Sequence, residues 1–159
     1  ISNDTLYIPI SINKLTGHNL PSGTPFSREA WLELIVMSDT DTIFTKGLLL
    51  DSSKPLDHTD SDLMLYTTLL YSEEQLGGDI IFEPSNAYSY DDRTLRTLFY
   101  DIKTYEIEIP TNFEGEIFIK ARMRFRSFKP QMLTKFHQLA VANIPIFEMD
   151  SDSISIIVE

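Results

Sequence analysis

Leu6-Tyr7-Ile8-Pro9-Ile10-Ser11-Ile12-Asn13 puts an aliphatic residue at every second position. Side chains of a strand alternate between its two faces, so this octet reads as a β-strand turning Leu6, Ile8, Ile10 and Ile12 toward a core. Pro9 has no N–H to give to a ladder, which assigns the strand to a sheet edge or a bulge. The same period of two recurs along the chain. In residues 30–37, Leu32, Leu34 and Val36 face one way and Trp31, Glu33, Ile35 and Met37 the other; two largely apolar faces suit a central strand. Residues 105–109 and 117–125 read as a hairpin, with Tyr105, Ile107, Ile109, Ile117, Ile119, Ala121, Met123 and Phe125 inward and Phe118, Lys120, Arg122, Arg124 and Arg126 outward. With Ile109 near Ile117, Glu106 would face Lys120, a cross-strand charge pair worth a few tenths of a kcal/mol.

Shorter elements fill the intervals. A turn at 38–41 leads into a strand at 42–45, with 47–50 available to pair beside it. Residues 63–71 suit a strand or a short helix, and their Tyr and Thr content favours the strand; 80–82 is a short strand, 84–93 is a loop, and 153–158 closes the chain as a strand. One helix is expected: Pro130 suits a first helical position, and Met132, Leu133, Phe136, Leu139 and Ala140 recur at three- and four-residue steps over about three turns. The expectation is an all-β, immunoglobulin-like β-sandwich with one short helix near the C-terminal end, folded as a single domain over residues 1–159.

Composition narrows the function. The chain has 159 residues, 42% of them hydrophobic, enough to bury a core. Thirteen Lys and Arg against 24 Asp and Glu leave a net charge of −11, which repels a phosphate backbone and argues against nucleic acid as a partner. Apolar runs such as 154–158 fall far short of the roughly 20 residues that span a bilayer, so no membrane span is expected. The absence of Cys excludes a disulfide framework, a thiol nucleophile and covalent haem attachment within this chain. The chain begins at Ile1 with no leader pattern behind it and is read as a processed or excised fragment.

Catalytic patterns are lacking: there is no G-x-S-x-G elbow, H-E-x-x-H, P-loop or G-x-G-x-x-G, and an enzyme is not expected. The three His residues, at 18, 58 and 137, have no metal-ligand spacing. His137 reads as a flank of the helix and His58 as decoration of the acidic stretch 51–62. His18 stands apart, on the shape-fixing loop Thr16-Gly17-His18-Asn19-Leu20-Pro21-Ser22-Gly23-Thr24-Pro25, where its ring either hydrogen-bonds to hold the loop or ligates a metal or haem iron. Asp51 to Asp62 and Ser38 to Thr42 hold enough carboxylates for Ca²⁺, although neither has the EF-hand pattern, and solvated loops are the plainer reading. Asp91-Asp92-Arg93 reads as a salt-bridged turn. Charge is uneven: residues 117–147 contain Lys120, Arg122, Arg124, Arg126, Lys129 and Lys135 and no acid. Such a strip either pairs internally, through Glu106 and Glu108, or orients an anionic partner, with Arg122, Arg124 and Arg126 as its contact residues.

Thr16-Gly17-His18-Asn19-Leu20-Pro21-Ser22-Gly23, followed by Arg28 and Trp31-Leu32-Glu33-Leu34, resembles the "TGHKLPTG…RRxWLEV" signature of a Cys-free β domain carried C-terminal to the haem-binding part of many multihaem c-type cytochromes. Asp91-Asp92-Arg93 is similar to that domain's "DNR" block, and residues 101–105 with 121–130 to its "DxVxY … LxYxSxxP" stretch. Arg28 is followed here by Glu29 and Ala30 where the family carries two adjacent Arg. The resemblance implies a non-haem domain or subunit of an extracytoplasmic electron-transfer system, docking or assembling a multihaem cytochrome polypeptide or further copies of itself, with no haem bound covalently by this chain. It also implies that His18 offers an axial imidazole to a neighbouring haem. From another class, a calcium-stabilised surface adhesin or carbohydrate-binding module fits the acidic loops.

Overall fold

The computed structural model describes residues 4–39, 41–73, 78–135 and 144–158. The inward series of the first strand is where the sequence places it. Among the described residues, β1 (Thr5–Asn13) pairs only with β8 (Tyr100–Glu108), antiparallel, as a two-stranded ribbon with Pro9 on an edge strand. Opposite lies a larger sheet. Its centre is β2 (Glu29–Ser38), flanked along one edge by β9 (Gly115–Arg126) and along the other by β3 (Thr42–Lys46) and β4 (Leu65–Tyr66). β10 (Phe147–Val158) extends it beyond β9. A third small sheet joins β5 (Thr68–Tyr71) to β6 (Ile80–Ile81) and β7 (Ser89–Asp92). The protein is an all-β sandwich, and α1 (Pro130–Lys135) is its short helix.

The core fills the space between ribbon and large sheet. Leu6 and Ile8 of β1 and Tyr105 and Ile107 of β8 meet Leu32, Leu34 and Val36 of β2 and Ile117 and Ile119 of β9. Each such aliphatic side chain contributes about 1.5–3 kcal/mol on burial. On the far face of β2, Trp31 packs with Leu56, Leu63 and Leu65, so the long excursion after β3 folds down as a cover.

Several expectations are corrected. β8 and β9 are not a hairpin: residues 110–114 carry the chain from the ribbon across to the large sheet, helped by positive φ at Asn112 (59°) and Gly115 (140°). Ile107 and Ile117 still face the same core, but from opposite walls. Alternation fixes which face is buried and is silent about which strand lies alongside. Glu106 therefore lies opposite Tyr7, not Lys120, whose ladder partners are Ile35 and Ser153. Residues 63–71 divide between two sheets as β4 and β5. Residues 47–50 form no strand, and the Gly47 carbonyl accepts the Trp31 Nε1–H at 2.9 Å. Residues 84–93 are not all loop, since β7 lies within them. The last strand starts at Phe147 rather than 153. Phe136, Leu139 and Ala140, expected in the helix, and His137 lie outside the described residues.

Candidate functional site

The loop between β1 and β2 is tied to the body at many points. Leu20 and Leu95 exchange backbone hydrogen bonds of 2.9 and 2.8 Å. Asn19 donates to Thr94 Oγ1 at 3.2 Å, and Thr67 donates through its hydroxyl to the carbonyls of Pro25 (3.0 Å) and Arg28 (2.7 Å). Arg28 folds back over Gly23 and donates to Ser22 O at 2.7 Å. Pro21 follows a cis peptide bond and is fully buried. The quoted loop residues thus shape the loop by packing and hydrogen bonds. His18 is exposed on it, and its Nδ1–H donates to Asn19 O at 3.1 Å. The hydrogen bond to a carbonyl through one ring nitrogen is also the orientation in which the other serves as a metal ligand.

The basic row of β9 meets an acidic row on β2. The register sets Glu29 opposite Arg126, Trp31 opposite Arg124 and Glu33 opposite Arg122. Arg122 Nε donates to Glu33 at 2.5 Å, Arg124 reaches Glu33 at 3.8 Å and Glu148 at 3.4 Å, and Arg126 grips Glu29 through Nε and NH2. Arg126 also donates to the carbonyls of Ser52 and Lys54 and stacks 5.5 Å from the Trp31 ring. The internal partners are therefore Glu29, Glu33 and Glu148 instead of Glu106 and Glu108. Arg126 is 0% exposed and has no surface to offer a partner, while Arg122 and Arg124 keep a partly exposed edge.

His58 is not a surface ornament. It is buried, and its Nε2–H donates to Glu29 Oε2 at 2.9 Å. Lys129, also buried, donates to Thr68 O at 3.1 Å. Burial pushes the Glu29 carboxyl up, but the His58 hydrogen bond and the charges of Arg126, His58 and Lys129 outweigh it and hold its pKa below the ordinary range. Burial pushes Lys129 down to about 8, against the pull of Glu29. Nothing in the sequence marks Glu29, Glu33, His58 and Lys129 as a group, although E-x-W-x-E on one strand and R-x-R-x-R on another share a period of two that invites pairing.

The acidic excursion uses its carboxylates locally. Asp51, Asp57 and Asp60 accept backbone N–H groups from Ser53, Thr59 and Asp62 at 2.8–2.9 Å, closing turns. Lys46 binds Asp60 at 3.0 Å and pins the excursion to β3. Among the described residues no three His, Asp or Glu side chains converge as a metal group. Asp91 and Arg93 pair at 2.6 Å, Arg93 also donates to His58 O at 3.3 Å, and Asp92 caps Thr94, so this block fastens β7 to the cover. Beyond it Leu98, Phe99, Tyr100 and Ile102 are each more than half exposed. Among the described residues no helix is long and apolar enough to cross a membrane.

No family model matches the chain, and no curated protein matches it significantly. Among solved structures, the chain is similar to a penta-haem cytochrome c552 from Thermochromatium tepidum, at 17% identity and a TM-score of 0.70. The match covers 98% of this chain but 37% of that one, so this sandwich corresponds to about a third of the cytochrome's length.

Proposed function

We propose that this chain is the non-haem β-sandwich part of a multihaem cytochrome system and acts by docking against, or helping to assemble, haem-bearing polypeptide. The observation that carries the reading is the near-complete overlay of this sandwich on one portion of a penta-haem cytochrome. The resemblance of the His18 loop and of the Asp91 block to the β domain of multihaem cytochromes supports it, because the matching residues are those that shape and fasten the loops. The exposed Leu98, Phe99, Tyr100 and Ile102 supply an apolar face suited to protein contact. The reading places the protein outside the cytoplasm and gives it no enzymatic step. On this reading the haem is held by the partner polypeptide or portion, because this chain has no Cys for thioether attachment.

Native isolation of the assembly containing this sequence, followed by haem staining, tests the reading. A haem-bearing polypeptide in fixed stoichiometry, or a haem-bearing portion of the same polypeptide, is the expected result. A homogeneous haem-free protein overturns it. Within such an assembly His18 is proposed as an axial ligand, with Asn19 O setting the ring. His18→Ala should then convert one haem from the low-spin to the high-spin spectrum, and an unchanged spectrum removes this role.

A further inference from the structure

The inward parity of β1 does not stop where the strand ends. Leu6 and Ile8 are buried, Ile10 and Ile12 are half-buried, and the next inward position is Lys14, only 6% exposed. Its Nζ is shut off from solvent and finds no hydrogen-bond partner among the described residues. An ammonium closed off from solvent with no hydrogen-bond partner is unfavourable, and an anion relieves it. Lys14 lies in the wall of a groove of about 440 Å³ between β1 and β10, within the roughly 300–1,000 Å³ usual for small-molecule sites. Ile10, Ile12, Ile119 and Met123 supply the apolar part of that wall, beside polar residues such as Ser11, Asn13 and Ser153.

We propose that this groove binds an apolar molecule bearing a single carboxylate, whose head draws the Lys14 ammonium out of its occluded position and whose hydrocarbon body lies along Ile10, Ile12 and Ile119. Burial lowers the pKa of Lys14, and an incoming carboxylate reverses that shift by favouring the charged form. The other charged groups of the groove sharpen the choice. Arg122 is engaged with Glu33. Asp150 and Asp152 stand exposed on β10, opposite Met123 and Ala121, and repel a second carboxylate. His18, at the same groove, has its Nδ1 on Asn19 O.

Titration calorimetry at pH 7 with decanoate, decan-1-ol, decylammonium and decanedioate tests this. Decanoate should saturate at one per chain and bind at least about tenfold tighter than the alcohol, a difference of about 1.4 kcal/mol, with the diacid and the amine weaker still. Lys14→Met should remove the advantage over the alcohol and Lys14→Arg should keep it. Equal affinity for decanoate and decanol, preference for decylammonium, or no saturable binding overturns the proposal. The ligand series is run on the unsubstituted protein, so it decides the question even if Lys14→Met fails to fold.

Discussion

Glu29 has no exposed surface, so its carboxylate is compensated inside the protein: by the charges of Arg126 across the ladder and Lys129 just before α1, and by a hydrogen bond from His58 in the cover. Replacing one partner of such a group leaves the others charged and desolvated. Glu29→Gln, nearly isosteric, should therefore cost about 3–5 kcal/mol in denaturant unfolding, and a loss below about 1 kcal/mol would show that the cluster stabilises little. The signs with pH follow from the two shifts. Glu29 is lowered, so its contribution is present above the ordinary Glu range and is lost as pH falls through the folded value. Lys129 is lowered to about 8, so between pH 8 and roughly 10 the unfolded chain holds a proton that the folded one has released, and stability rises with pH. Lys14 adds in the same direction. Above that window the sign reverses, because burial pushes Tyr105 up to about 12 and raises Tyr66 as well. Unfolding free energy should thus increase from pH 7.5 to pH 9.5, and Lys129→Met should diminish the increase without erasing it. A flat or falling profile in the unsubstituted protein contradicts the argument.

Gly47 ends β3 with φ of +67°, and a Cβ there would stand 2.5 Å from the Leu32 carbonyl oxygen and 3.0 Å from the Trp31 ring. Gly47→Ala should cost about 2–4 kcal/mol in thermal unfolding, from left-handed backbone strain and displaced packing together. Gly17, with nothing within 4 Å of the same atom, is the control, and Gly17→Ala should stay within about 0.5 kcal/mol. Equal effects at the two positions would mean that the turn after β3 yields freely. Strands differ in how much of their placement the sequence records. Leu6 to Ile12, Leu32 to Val36 and Ile117 to Met123 are legible, because each strand carries its own record of which face is buried. The neighbours of β8 and β9 are not, because a connection that crosses the core and one that folds back beside it bury the same residues. Residues 147–152 escape notice for the opposite reason: an exposed edge strand needs no sustained apolar alternation, and the short Phe147, Met149 series breaks off at Ser151. The His58 and Glu29 pair lies 29 residues apart, and nothing local to His58 announces it.

The two layers of the sandwich are unequal, a two-stranded ribbon covering part of a much wider sheet. The overhang is β10. Its whole length pairs with β9, yet its side chains from Phe147 to Ser155 are exposed on both faces, and Ile156 and Val158 alone touch the core. Hydrogen bonds without side-chain burial contribute little net stability, so β10 should open on its own while β2, buried along most of its length and paired along both edges, opens only with the fold. Native-state hydrogen exchange should show amide protection in β10 at least about tenfold lower than in β2, with the β9 amides between them. A partner or ligand that occupies the space beside β10 would slow that exchange selectively, which makes the same measurement a readout for docking at this end of the sandwich. Equal protection of β10 and β2 would mean that the overhang is held by something other than its ladder, and the picture of a wide sheet with a loosely held outer strand would have to be abandoned.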